Sequence, residues 1–250
     1  MTEEKSITAT NGLTVLGTDF ACGKTAATAV VGYLLGKNQA IRVVKPLLCG
    51  PRERAEAEVS FLSSVSGAPR GYAFNYVEPP ARLNRSAWQS ILAVAMQGLE
   101  LNLIEAYGAI SSPIFVEDTD GGIIVFDSLD FAKRLSYPVL IVAAHRFDAP
   151  ERLLSACAMA EARGLNIAGL LTVETAAGEG RLLEAKYSRQ DVELLFQSRC
   201  RAPYLGCIKH SPSINVHRVN QGNLVKMTES GLDILSLYKS LAEQGLSLTV

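Results

Sequence analysis

Leu13-Thr14-Val15-Leu16-Gly17-Thr18-Asp19-Phe20-Ala21-Cys22-Gly23-Lys24-Thr25 is the stretch that decides how this chain folds. Leu13 to Leu16 form a short apolar, β-branched run suited to a buried strand. Gly17 ends that run, and Gly23-Lys24-Thr25 opens an alanine-rich helical segment reaching about Gly36. A strand, a glycine-rich turn and a helix start, in that order, make a phosphate loop. Glycines let backbone N–H groups converge, and the helix N-terminus adds partial positive charge. Lys24 is then placed to reach the β- and γ-phosphates of a nucleotide, and the Thr25 hydroxyl to ligate Mg2+. Five residues, where four are commoner, separate Gly17 from Gly23.

Working outward, apolar runs and helical segments alternate. Helix one is expected over Lys24–Gly36, a strand over Ile41–Val44, a helix over Arg52–Ser64 and a loop from Gly67 to Leu83. Ser86 is expected to cap a long helix from Ala87 to about Tyr107, with Ile91, Val94, Ala95, Leu99, Leu103 and Ile104 on one face. Pro113 to Val116 reads as a buried strand ending at Glu117, Asp127 to Leu135 as a short helix, and Val139 to Ala143 as a strand. A helix over Pro150–Arg163, a strand over Ile167–Thr172, a helix over Ser188–Gln197, a strand over Tyr204–Ile208 and a closing helix over Glu229–Glu243 complete the pattern. The strands are apolar on both faces, which predicts a doubly wound, mostly parallel α/β sheet with helices on both sides, of the P-loop NTPase kind. Residues 1–12 read as a loose lead-in and 13–250 as one such domain.

Composition narrows the function classes. The 250 residues are 48% hydrophobic and 20% charged, with a net charge of −1. That balance argues against nucleic acid and acidic membrane surfaces as partners. No apolar run approaches the roughly 20 residues of a spanning helix. Met1-Thr2-Glu3-Glu4-Lys5 lacks a secretory leader pattern, so a cytoplasmic protein is expected. Five scattered cysteines without a Cys-x-x-Cys pair, and three histidines, fit reduced thiols and argue against zinc.

Several motifs resemble the dethiobiotin synthetase family, in order along most of the chain. The loop is similar to that family's G-T-D-T-x-x-G-K-T. Lys45-Pro46-Leu47-Leu48-Cys49-Gly50 resembles K-P-V-x-S-G, and Val116-Glu117 with Gly121-Gly122 resembles V-E-G-A-G-G. Tyr137 to Val142 is similar to its P-V-i-L-V strand, Gly164 to Leu171 to its G-L-x-x-x-G strand, and Pro203 to Ile208 to P-x-L-G-x-I. There are departures. Phe20 replaces a loop threonine, Cys49 a serine, and Val173 the asparagine that reads adenine. The family's L-G-x-I-N-H is absent, with Phe147-Asp148-Ala149-Pro150-Glu151-Arg152 in its place.

The resemblance implies an ATP- and Mg2+-dependent ligase that forms a cyclic urea from 7,8-diaminopelargonate and CO2 through a phosphorylated carbamate. Its partners would be a small diamine and CO2 or bicarbonate, and it would be a homodimer. Gly17, Thr18, Asp19, Phe20, Ala21, Cys22, Gly23, Lys24, Thr25 and Ala26 would bind the nucleotide. Lys45, at a strand end held extended by Pro46, would be the second catalytic cation, with Cys49 also at the substrate. Thr25, Glu58 and Glu117 would hold the metal, with Asp118 and Asp120 as further candidates. Cys22 is expected as a small apolar filler, and His145 as an exposed loop residue, while Arg146 and Arg152 are candidates for a substrate carboxylate. Two rival readings remain. One is a related P-loop ligase acting on another amine or carboxylate. The other is a nucleotide-binding paralogue without turnover; the partition-type switches place a lysine five residues before the loop lysine, where this chain has Asp19.

Overall fold

Because apolar strands alternate with helices, each strand can be returned to the same sheet edge by a helical crossover. A computed structural model, describing residues 12–68, 75–77, 83–98 and 100–246, has this arrangement. The chain runs through β1 (Gly12–Gly17), α1 (Lys24–Gly36), β2 (Ile41–Val44), β3 (Leu47–Cys49), α2 (Arg52–Ser66), β4 (Asn75–Val77), α3 (Arg85–Ala95) and β5 (Leu101–Glu105). Next come β6 (Pro113–Thr119), β7 (Gly122–Asp127), α4 (Ser128–Leu135), β8 (Val139–Ala144), α5 (Ala149–Ala162) and β9 (Ile167–Val173). It closes with α6 (Arg181–Lys186), α7 (Arg189–Cys200), β10 (Tyr204–Ile208), α8 (Leu224–Gly231) and α9 (Ile234–Glu243).

Six strands form the central sheet in the order β10-β9-β8-β1-β5-β2, and every pairing is parallel. Strand alternation divides the core between the two faces of this sheet. Leu13 and Val15 join Val30, Val31, Phe61 and Leu237 on one side, whereas Leu16 joins Trp88, Phe131, Leu153 and Phe196 on the other. The three phenylalanines are almost wholly buried, and each contributes about 1.5–3 kcal/mol by leaving water. From β1 the chain first builds β2 and β5 to one side, then crosses to build β8, β9 and β10 on the other. That reversal opens a crevice at the carboxyl end of β1, where ligands of such sheets bind. Among the described residues no helix is long and apolar enough to cross a membrane.

Three expectations are corrected. The long helix after Ser86 stops at Ala95, is capped by the Asn84 side chain, and is followed by β5, which lies inside the sheet between β1 and β2. Gly98, at φ +93°, breaks the chain between them. Pro113 to Glu117 does not enter the central sheet. It pairs with β7 as an antiparallel hairpin closed by Asp120-Gly121, a dipeptide suited to tight hairpin turns. The closing helix is two helices, because Asp233 bonds its backbone N–H to the Leu205 carbonyl and caps α9 through Ser236. The lead-in expected before Gly12, most of the loop within 67–83, and Leu99 lie outside the described residues.

Arg42 ties the start of β5 to the end of α3. Its guanidinium is buried and donates to the carbonyls of Val94 (2.6 Å) and Gln97 (2.9 Å) and to Asn102 Oδ1 (3.1 Å). Removing the donor leaves the buried Asn102 Oδ1 without it, at a cost of about 1–3 kcal/mol. Arg42→Met should therefore lower the urea unfolding midpoint with little change in m-value, as read by circular dichroism.

Candidate active site

The loop after β1 is built by close packing. A Cβ on Gly17 would stand 2.7 Å from Cys22 Sγ and 2.8 Å from Lys24 Nζ, so only glycine lets the lysine fold back over the strand end. Gly23 has φ +92°, and a Cβ there would meet the Val173 side chain at 2.5 Å. It precedes α1 without a side-chain cap, so the first-turn N–H groups face the loop. Lys24 is buried, its ammonium donating to the carbonyls of Gly108 (2.6 Å) and Asp19 (3.4 Å). Cys22 is buried beneath the loop and donates to the Val142 carbonyl, in keeping with a filler. Asp19 accepts from the Thr18 hydroxyl and from Arg152. Phe20 is 62% exposed and meets Tyr107 edge-on, with ring centroids 5.9 Å apart.

Beside the loop, Thr25 and Lys45 bond directly to the carboxylate of Glu105, and Glu58 joins them through Lys45. Glu105, the last residue of β5, is 1% exposed. Its Oε1 accepts from the Thr25 hydroxyl at 2.9 Å and from Lys45 Nζ at 2.8 Å. Lys45, just past β2, also donates to Glu58 Oε2 of α2 at 2.5 Å. Burial alone would lower the Lys45 pKa, but Glu105 and Glu58 outweigh it and hold the ammonium well above its ordinary range. Glu105 Oε2 is buried without a hydrogen-bond partner. That orphaned oxygen, Glu58 and the Thr25 hydroxyl are hard oxygen donors of the kind Mg2+ takes. Among the described residues no group of three or more His, Cys, Asp or Glu could hold a metal, so such an ion would need nucleotide oxygens and water as well.

These residues line one end of a cleft of about 530 Å³, within the range of small-ligand sites. Phe20, Ala21, Gly23, Lys24, Thr25 and Ala26 of the loop face it, as do Lys45, Cys49 and Glu58. Gly17, Thr18, Asp19 and Cys22 lie behind that lining. The Cys49 thiol interacts with the Tyr107 hydroxyl, whose pKa is raised by burial and by that thiol while Lys45 opposes the rise. The far end is formed by segments after β9 and β10, from Val173 to Thr175 and from Ile208 to Ser211, closed by the turn at Val216–Arg218. Val173 is packed on Gly23 and brings no polar group to that end.

Other candidates lie elsewhere. Glu117 is on the hairpin, in a bidentate pair with Arg85, and neither it nor Asp118 or Asp120 lines the cleft. The structure therefore does not bring Glu117 to Thr25. His145 is buried, not exposed: Nδ1 faces Thr172 Oγ1 at 2.9 Å and Nε2 faces Glu184 at 3.3 Å. Burial, and then Lys209, lower its pKa, against the pull of Glu184. Arg146 is paired with Glu179, and Arg152 with Asp148 and Asp19. Sequence reasoning missed Glu105 and Tyr107. The signal was present, since Ile104-Glu105-Ala106-Tyr107-Gly108 has the spacing of V-E-G-A-G, and Glu105 is a lone acid in an apolar run.

Comparison with known proteins bears on the family and the fold. Residues 11–218 match the AAA_26 family, described as an AAA domain. The ATP-dependent dethiobiotin synthetase BioD of Gloeobacter violaceus is 27% identical over 209 residues, covering 80% of this chain and 86% of that protein. The septum site-determining protein MinD of Pyrococcus horikoshii, complexed with Mg-ADP, superposes with a TM-score of 0.52 at 14% identity, over 94% of this chain and 96% of that one. The chloroplast FtsY of Physcomitrella patens has a TM-score of 0.47 at 12% identity; 94% of this chain is covered, but only 65% of that longer protein. The likeness to MinD, at 14% identity, speaks for the fold alone.

Lys24 is held inside the loop by carbonyls, so its charge is aimed at the cleft before any ligand arrives. Charge-assisted hydrogen bonds are worth about 1.5–3 kcal/mol, so Lys24→Ala should weaken ATP binding by roughly 10- to 150-fold in calorimetry. Equal affinities would remove the loop lysine from the site.

Proposed function

The chain belongs to the AAA_26 family, and from that premise we propose that it is an ATP- and Mg2+-dependent ligase of the dethiobiotin synthetase kind, closing a cyclic urea from a vicinal diamine, 7,8-diaminopelargonate, and CO2. The observation that carries this reading is the convergence of Lys45, Glu58, Glu105 and Thr25 beside the phosphate loop. A simple nucleotide switch has no evident need of a second buried cation there.

In this reaction one amine adds to CO2, giving a carbamate and a proton. A carbamate oxygen attacks the γ-phosphorus, the β,γ-bridging bond breaks, and ADP leaves. The second amine then attacks the carbamoyl carbon, expelling phosphate and closing the ring. Phosphoryl transfer asks the protein mainly for positioning and charge neutralisation. Lys24 turns from the Gly108 carbonyl to the phosphates. Lys45 stands between the γ-phosphate and the carbamate, two anions that repel strongly in a partly dehydrated site. Thr25, Glu58 and Glu105 would hold Mg2+, which when bound neutralises phosphate charge. A homodimer and a cytoplasmic location belong to the same reading by resemblance.

A related ligase with another acceptor is favoured by one observation. Phe20 and Tyr107 stand where the family motifs have threonine and alanine, and their edge-on pair puts two aromatic rings in the cleft lining.

The test is release of ADP and phosphate with 7,8-diaminopelargonate, bicarbonate and Mg2+. Release should require all three. Activity with a different amine alone would favour the second reading, and no release with any amine would overturn both. Losing one transition-state contact commonly costs about 10²–10³ in kcat, so Lys45→Gln should lose that much while ADP affinity stays nearly unchanged. Lys45→Arg should recover only part of it, because a planar fork is no substitute for a compact charge. Glu105→Gln should abolish Mg2+-dependent turnover, whereas Glu117→Gln should stay within about twofold of wild type, since surface pairs contribute little. The reverse order would return the metal to the hairpin.

A further inference from the structure

Glu58 and Glu105 present two carboxylates to the place assigned to the metal, but Lys45 already occupies both of them, at 2.5 and 2.8 Å. Its side chain is 12% exposed, Glu105 is 1% exposed and Glu58 24%, so water does little to weaken the contact with Glu105. Glu105 Oε1 is further committed to the Thr25 hydroxyl, leaving Oε2 as the buried oxygen without a partner. The trio carries one net negative charge. A dication added with Lys45 in place would stand against an ammonium on the same two carboxylates, and those like charges repel at close range. A triphosphate changes this balance, because it offers Lys45 a different set of anionic oxygens within the same cleft.

We propose that Lys45 is the resting counter-cation of the Glu58–Glu105 pair, and that the site accepts a divalent ion only as Lys45 transfers to the anions of a bound nucleotide. Metal and nucleotide then enter as a unit, and the same exchange that seats the metal delivers the ammonium to the reacting phosphate. Without a triphosphate the carboxylates keep Lys45 as their counter-cation, so the empty enzyme does not collect free metal. The proposal rests on the metal ligands assigned under the proposed function, but not on the identity of the amine.

Mn2+ binding to the full chain, followed by the electron paramagnetic resonance of free Mn2+, tests this without diamine or bicarbonate. Nucleotide-free wild type should bind Mn2+ weakly. Lys45→Met, which removes the charge and keeps the length, should bind it at least about tenfold more tightly. The double variant Lys45→Met with Glu105→Gln should lose that gain. Adding the non-hydrolysable analogue AMPPNP should close the gap between wild type and Lys45→Met. Lys45→Met leaves the buried Glu105 and the half-buried Glu58 without their counter-cation and so is expected to melt lower than wild type; Mn2+ should raise its melting temperature by more than it raises that of wild type. If the variant does not fold, tight Mn2+ binding by nucleotide-free wild type decides against the proposal, and weak binding supports it. Equal nucleotide-free affinities for wild type and Lys45→Met, or a gain that survives Glu105→Gln, would overturn it. Because no amine is present, that failure would leave the ligase reading standing. Failure of turnover with every amine would leave the Mn2+ result unaffected.

Discussion

Glu105 ends the strand beside the phosphate-loop strand, and its carboxylate is almost wholly removed from water. A buried charge of this kind must be compensated by what surrounds it. The Thr25 hydroxyl comes from the first turn of α1 and the Lys45 ammonium from the end of β2, so two neighbouring elements are drawn to β5 by one side chain. Glu58 brings α2 to the same point through Lys45. The phosphate loop, the second strand and α2 therefore share a common electrostatic centre.

The sheet makes that centre possible. In a wholly parallel sheet every carboxyl end faces the same way, so residues distant in sequence collect along one edge. The cleft gathers the loop after β1, the residue after β2, the end of β5 and the segments after β9 and β10. The core beneath is apolar on both sides of the sheet, which holds the strand ends in fixed register.

The two ends of the cleft differ in how far they keep the family's chemistry. At the phosphate end the glycines, Lys24 and Thr25 are tightly packed and mutually constrained. Beside it the rings of Phe20 and Tyr107 enter the lining, while Arg146 and Arg152 lie outside it, engaged with acids of their own. At the far end Val173 contributes packing to the loop instead of a polar contact.

The sequence by itself determined the phosphate loop, its flanking strand and helix, and the α/β alternation. These are local patterns: β-branched runs, glycine at a left-handed position, and apolar residues at helical spacing. Resemblance to family motifs also pointed to Lys45 and Glu58, and both line the cleft. Only the tertiary structure decided which acid joins them. Leu101 to Glu105 continues the apolar spacing of α3, and five residues cannot be told from a helix by periodicity, so Glu105 looked like part of a helix surface. Its place follows from pairing with β1 and β2, contacts some 60 to 90 residues apart in the chain. Glu117 failed for the converse reason. A hydrophobic run ending in an acid fits a central strand and a hairpin equally well, and the choice was made by β7, Phe126 and Trp88 packing on Phe115.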